Sequence, residues 1–353
     1  MHNDNDDATP TPTLQHLQIS DGTTLAYREL GEDANGEPRD VMMLLHGWPT
    51  SSYLWRGVMP EVAAHARVLA LDLPGFGGSD KPRRSRFGFA DFERAIDGFL
   101  NALGVNEVAV AGHDLGGPIA MHWALRNPGR VRGVVMLNTL LYPDFHPSVF
   151  EFVTTLATPA TRDELTAPEG LAGMMRAGVA DGRVLADTVL AAIAAPFADA
   201  ADRLTLARAG IGLEPSGFEE IATGLPSLQA PVRAVYGTQD RILPDVGDTM
   251  ARLQRDVPHT EVTALADCGH FLQEERPDEV GRLLATFAAS LAVARVRRAE
   301  LWVGFLSTAG TDPAQTVYDP GRRPAGSPGG VRRRWVRSGR RRCRAPGRCR
   351  RAR

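Results

Sequence analysis

Short apolar or alternating runs, each bounded by turn residues, recur along the chain and read as β-strands. They cover Leu14–Ser20, Thr23–Leu30, Val41–His46, Arg67–Leu73, Glu107–Gly112, Val131–Asn138, Val232–Gly237 and Glu261–Leu265. Between them lie stretches with apolar residues at helical spacing: Phe89–Leu103, Leu115–Arg126, Val246–Arg255 and Pro277–Val293. The first two strands read as a hairpin. The rest alternate strand and helix, which predicts an α/β fold whose mostly parallel sheet is covered by helices on both faces. One interval breaks the alternation. From Leu140 to Leu228 no strand pattern appears, and Ala-rich helical stretches (Pro147–Leu156, Glu169–Val179, Arg183–Ala195) take its place. Inserted between two strands of one sheet, this interval predicts a helical cap over the strand ends, where ligands of open α/β sheets bind. The expected organisation is a disordered lead-in over 1–13, a core of 14–140 and 228–295, a cap of 141–227 and a disordered tail of 296–353.

Charge changes the picture only at the end of the chain. The 353 residues carry a formal charge of −2. The segment Gly321–Arg353 alone holds 14 Arg and no acidic residue. It reads either as a nucleic-acid or membrane-binding arm or as an extension without a selected role. The second reading is preferred, because nothing in it alternates or repeats like a folded element. One Lys against 39 Arg points to codon bias rather than to nucleic acid as a partner. The start, MHNDNDDATPTPT, lacks the basic and apolar regions of a signal peptide. No apolar run approaches the ~18 residues of a membrane span. A cytoplasmic protein is therefore expected. Of three Cys, only Cys268 lies in the folded part, and no metal-ligand or disulfide spacing appears.

The chemistry gathers at strand ends. The stretch AGHDLGGPIA, Ala111–Ala120, has the Gly-x-nucleophile-x-Gly spacing of a strand-to-helix elbow. Asp114 stands where hydrolases commonly carry Ser. A buried apolar strand precedes it and a helix follows, and that helix N-terminus favours an ionised carboxylate. As an alternative, Asp114 caps an ordinary strand–helix loop. Two partners are expected in the order acid, then His. Asp240 follows the strand in VRAVYGTQDRILP, and His270 follows the next one in ALADCGHFLQEERP. In these roles His270 deprotonates a water, while Asp240 fixes its tautomer and stabilises its charge. Read singly, Asp240 is a helix cap and His270 a loop histidine. The backbone N–H groups of Trp48, in the turn after a strand, and Leu115 are the expected oxyanion donors. The Gly-rich LDLPGFGGSDKP fits neither dinucleotide nor P-loop spacing and reads as a turn.

Taken together, HGWP, LDLPGFGGSDKP, GHDLGG, YGTQDRILP and GHFLQEERP resemble the α/β-hydrolase superfamily. The resemblance runs from about Leu14 to Val293 and is weakest in the cap. The Asp elbow is similar to the branch holding haloalkane dehalogenases and epoxide hydrolases. PTSSYLWRGVMP is especially similar to the dehalogenases. The resemblance implies an α/β-hydrolase fold, no cofactor, no metal, and a small apolar substrate cleaved with water through an ester on Asp114.

The sequence also departs from both patterns. Dehalogenases usually hold the leaving halide with a Trp directly after the nucleophile, and here that residue is Leu115. Their second donor is often an Asn at the Trp48 position or a cap Trp, and the cap contains no Trp. Epoxide hydrolases use two cap tyrosines as acids. Here Tyr142 stands at the cap's first hinge, with His146 as a substitute. Tyr142, His146 and Phe150 are the expected pocket residues. Some dehalogenases carry the triad acid after the preceding strand, where Asn138 stands, which leaves Asp240 as the acid. The implied activity is haloalkane dehalogenase-like, with epoxide hydrolysis as the alternative. A cofactor-free oxygenase and a non-catalytic ligand-binding protein of the same fold rank lower.

Overall fold

The computed structural model describes residues 11–31 and 39–309, with side chains as far as Val293. Eight strands form one sheet: β1 (Leu14–Gln18), β2 (Thr24–Leu30), β3 (Val41–Leu45), β4 (Arg67–Leu71), β5 (Val108–His113), β6 (Val131–Leu137), β7 (Val232–Gly237) and β8 (Thr260–Leu265). Their spatial order is β1-β2-β4-β3-β5-β6-β7-β8. Only β2 runs against its neighbours. All eight strands expected from the apolar pattern are present, each within a few residues of the expected bounds.

Five helices flank the sheet directly: α1 (Met59–Ala63), α2 (Phe89–Ala102), α3 (Gly116–Arg126), and later α10 (Val246–Asp256) and α12 (Pro277–Ala309). Six more lie between β6 and β7: α4 (Pro147–Ala157), α5 (Pro159–Leu165), α6 (Pro168–Gly178), α7 (Asp187–Ala194), α8 (Ala200–Gly210) and α9 (Pro215–Gly224). A single turn, α11 (Leu272–Glu275), follows the His270 loop. Adjacent strand residues feed opposite faces, as the pleat requires. Met43, Leu45 and Val110 join one core with Ile96, Phe99 and Ile119. Met42, Leu44 and Ala111 join the other, with Val62, Leu284 and Phe287. Every residue of β5 is buried, so its run VAVAGH needs no polar alternation.

Two expectations are corrected. Helix α12 continues to Ala309, past the expected tail start at 296, and the tail beyond 309 lies outside the described residues. Contacts divide the chain after Trp302, so only the end of α12 belongs to the second unit. The expected helix Arg183–Ala195 is a short 3-10 turn, Gly182–Val184, followed by α7. Helices α5, α8 and α9 carry no clear sequence signal. In α5 no residue is buried, and in α8 the buried residues include Thr205, Ala207 and Ala209, which blur an apolar stripe. Among the described residues no helix is long and apolar enough to cross a membrane.

The chain leaves β3 for β4 on one side and then crosses to β5 on the other. A crevice opens at such a reversal, outside the carboxyl ends of the strands. Trp48 follows β3 there and Asp114 follows β5.

Candidate active site

Asp114 sits on the elbow between β5 and α3 with φ +49°, in the left-handed region that L-residues rarely adopt. The turn closes because its neighbours lack side chains. A Cβ on Gly112 would lie 2.3 Å from the Gly116 carbonyl oxygen, and one on Gly116 would lie 2.5 Å from that of Leu45. Thr139 Oγ1 donates to the Asp114 carbonyl oxygen at 2.6 Å. The turn after β3 presses equally close, since a Cβ on Gly47 would lie 2.4 Å from the Asp114 carboxylate. This approach lets the Trp48 N–H donate to Asp114 Oδ2 at 2.9 Å. The Leu115 N–H also favours the ionised form of the same carboxylate. Both expected oxyanion donors therefore point at Asp114. Burial raises its carboxyl above the usual range, and the His270 charge and these two N–H groups oppose that rise.

His270 follows β8 with its side chain 1% exposed. Its Nδ1 lies 2.8 Å from Asp240 Oδ2, and its Nε2 lies 3.7 Å from Asp114 Oδ1. The first contact is a hydrogen bond and the second is too long to be one. With Nδ1–H donated to Asp240, the Nε2 lone pair faces the Asp114 side. Burial favours the neutral imidazole, but the Asp240 charge and hydrogen bond, with the Asp114 charge, outweigh it and raise its pKa above 6.5. Asp240 also accepts from the backbone N–H groups of Ile242 and Leu243, both at 2.8 Å on Oδ1. Burial pushes its carboxyl up; His270 and these donors prevail and hold it below the usual range.

From the sequence, Asn138 reads only as an absence of acid. Its side chain in fact donates to Asp240 Oδ2 at 2.7 Å and accepts from the Gly237 N–H at 2.9 Å. An amide fits here because one end must donate and the other accept. The sequence pattern does not single out His46 or Asp72 either. His46 Nε2 accepts from the Leu73 N–H at 3.0 Å. Asp72 accepts from Ser52 and Gly78 at 2.6 and 2.7 Å, which orders the Gly-rich loop from within.

The three expected pocket residues are not brought to the triad. The Tyr142 hydroxyl donates to Asp256 Oδ2 at 2.8 Å, beneath the Arg252 guanidinium at 3.7 Å. His146 caps α4, its Nδ1 accepting from the Ser148 N–H. Both line a cleft of about 420 Å³ between the first cap hinge and α10. Phe150 is 59% exposed, because α4 turns other residues inward. Among these is Phe152, whose ring meets Trp48 edge-on at 5.0 Å. Among the described residues no group of three or more His, Cys, Asp or Glu side chains could hold a metal ion.

Comparison with known proteins agrees with the fold. The family model for the α/β hydrolase fold matches residues 40–277. A haloalkane dehalogenase of Mesorhizobium japonicum is 28% identical over 298 residues, covering 80% of this chain and 93% of the relative. A 2-hydroxy-6-oxononadienedioate/2-hydroxy-6-oxononatrienedioate hydrolase of Cupriavidus pinatubonensis is also 28% identical, covering 79% and 96%. The crystal structure of the haloalkane dehalogenase DbeA from Bradyrhizobium elkani superposes with a TM-score of 0.69 at 27% identity, over 80% of this chain and 99% of that one. The fold, the family match and the solved relatives agree, and the chain belongs to the α/β-hydrolase fold family.

Proposed function

We propose that this hydrolase cleaves a small haloalkane through a covalent ester on Asp114. The observation that carries the reading is the division of labour within one carboxylate. Oδ2 is held by the Trp48 N–H, and Oδ1 faces His270 without a hydrogen bond. Oδ1 attacks the halogen-bearing carbon from the side opposite the halogen, the carbon–halogen bond breaks, and halide departs with the bonding pair. A carboxylate does this without a base, whereas a Ser would first need deprotonation. Oδ2, already held by the Trp48 N–H, becomes the ester carbonyl oxygen. His270 Nε2 then takes a proton from water, and the hydroxide adds to Cγ of Asp114. The charge gathers on Oδ2, where the Trp48 and Leu115 N–H groups stabilise it. The intermediate collapses, the alcohol leaves with the proton from His270, and Asp114, left as the carboxylic acid, loses the hydroxide's proton to solvent and is restored as the carboxylate. The cycle uses water and needs no cofactor.

Epoxide opening ranks second. An epoxide oxygen leaves as a strongly basic alkoxide unless protonated, whereas halide needs no proton. Of the two expected proton donors, Tyr142 gives its hydroxyl to Asp256, and His146 serves as the cap of α4 through Nδ1.

Replacing His270 by Phe tests the reading. Ester formation should survive and ester hydrolysis should stop, so the substrate's alkyl group should remain on the peptide containing Asp114. Mass spectrometry after incubation with a panel of bromoalkanes detects it. Asp114→Ala should give neither adduct nor turnover. Turnover by that variant, or an adduct on another residue, refutes the mechanism.

A further inference from the structure

The loop that carries His270 is bolted to the interval between α6 and α7. The His270 N–H donates to the Gly178 carbonyl oxygen at 2.6 Å. The two segments meet glycine to glycine. A Cβ on Gly269 would lie 2.5 Å from the Gly178 oxygen, and one on Gly178 would lie 2.5 Å from the Phe271 ring. A single side chain spans both segments. Glu275 Oε1 accepts from the Gly269 N–H at 2.7 Å, and its Oε2 accepts from the Ala180 N–H at 2.8 Å.

We infer that Glu275 is a positioning residue for His270, stapling the loop of the base to the cap and adding a negative charge beside the imidazole. The inference rests on the ester reading above. Both carboxylate oxygens are needed, because each receives a different backbone N–H. An unpaired buried N–H is costly, so the staple resists opening. The charged and titratable groups around His270 are Asp114, Asp240, His113 and Glu275. Glu275 itself is flanked by Cys268 and Arg276. Burial raises its carboxyl above the usual range, against the pull of its two N–H donors and Arg276. Forming the ester calls only on Asp114, whereas hydrolysing it requires Nε2 of His270 to be in register with a water. Losing the staple should therefore slow the second step alone.

The test compares Glu275→Gln and Glu275→Asp with the unaltered protein, using a bromoalkane in rapid-mixing assays. Gln keeps the volume, but its NH2 end confronts one of the two N–H donors, and the charge is gone. In Glu275→Gln the halide burst should stay within about twofold. Ester hydrolysis should fall on the order of 10- to 100-fold, as small misplacements of a reacting group do. Its acid limb should move to lower pH, because the imidazolium has lost a stabilising charge. Glu275→Asp should return the limb towards its original position. An unaltered hydrolysis rate and acid limb in Glu275→Gln overturn the proposal. If His270→Phe accumulates no adduct on Asp114, the ester reading fails, and amide hydrogen exchange then decides on the staple. The amides of Gly269 and Ala180 should be protected in the unaltered protein and exchange at least about tenfold faster in Glu275→Gln. Unprotected amides there, or equal exchange in the two proteins, overturn the staple. If Glu275→Gln does not fold, the amides of the unaltered protein decide alone: protection supports the staple and its absence overturns it.

Discussion

The indole N–H of Trp48 donates to the carbonyl oxygen of Leu206 in α8 at 3.2 Å. The same residue gives its backbone N–H to Asp114. Trp48 thus ties Asp114, the proposed nucleophile, to a helix of the cap, and its indole proton is spent on that tie. A Cβ on Gly210 would lie 2.7 Å from the same ring, so α8 packs tightly on it. The position after the nucleophile is Leu115, which offers a departing halide no side-chain donor.

The rate of ester formation should therefore depend steeply on the leaving group. A weakly basic halide departs with little help, and chloride needs more. Losing one donor of developing charge costs about 10²–10³-fold where such a donor is used. For alkyl chains of equal length, bromide release should exceed chloride release by well over about tenfold. The measurement is halide release under single-turnover conditions. Equal rates from the bromo- and chloroalkane would mean that another group assists departure.

Tyr142 should be dispensable for chemistry. Its hydroxyl is committed to Asp256, and burial and that carboxylate push its pKa well above the usual phenol. Tyr142→Phe removes a hydrogen bond to a carboxylate, worth about 1.5–3 kcal/mol of stability. Thermal melting should fall by a few degrees while turnover of haloalkane or epoxide stays within about twofold. A loss of epoxide turnover of about a hundredfold would instead mark the hydroxyl as a general acid.

The sheet is legible in the sequence because its inner strands are near-continuous buried apolar runs and all eight are bounded by turn residues. The triad positions are legible because each stands just beyond a strand, and strand ends can be read from the pattern. Asp114, Asp240 and His270 are picked out by that placement together with the Gly-x-Asp-x-Gly elbow and the order acid, then His. What surrounds them does not. Asn138, Glu275 and Asp72 act through contacts between residues far apart in sequence, such as Asn138 with Asp240 or Glu275 with Ala180. No periodicity records those contacts. The cap is legible as an insertion but not in detail. Its Ala-rich helices give little contrast between inner and outer faces, so residue type selects Phe150 where the fold uses Phe152.

Asn138 gives a test of the acid's surroundings. Asn138→Asp would set a second carboxylate where an amide now donates to Asp240 at 2.7 Å. Two carboxylates so close cannot both ionise. One carboxyl of the pair then has a folded-state pKa above its unfolded value, so the folded state binds more protons and stability falls as pH rises. The melting temperature of Asn138→Asp should lie below that of the unaltered protein at about pH 7, with the gap narrowing towards about pH 4. A constant gap across that range would mean that the new carboxylate finds another donor.

Esterification should itself tune the base. In the resting enzyme, burial favours neutral His270, but Asp240 and Asp114 more than compensate and raise its pKa above 6.5. Forming the ester abolishes the charge on Asp114 and leaves that on Asp240. One stabilising neighbour of the imidazolium is lost, and the pKa of His270 falls. The ester thus leaves more of the base in the neutral form that accepts water's proton, at the stage that needs one. Asp114→Ala mimics this loss of charge in a stable protein. The His270 ring titrated by NMR should show a lower pKa in Asp114→Ala than in the unaltered enzyme. The acid limb of ester hydrolysis should likewise lie below the His270 pKa of the resting enzyme. Ester formation follows a different group. Burial raises the Asp114 carboxyl above 3.8, and only its ionised form attacks, so the halide burst should fail on the acid side at a pH above that value. A burst retained undiminished below pH 3.8, or a His270 titration unmoved by Asp114→Ala, would contradict the electrostatic coupling between nucleophile and base.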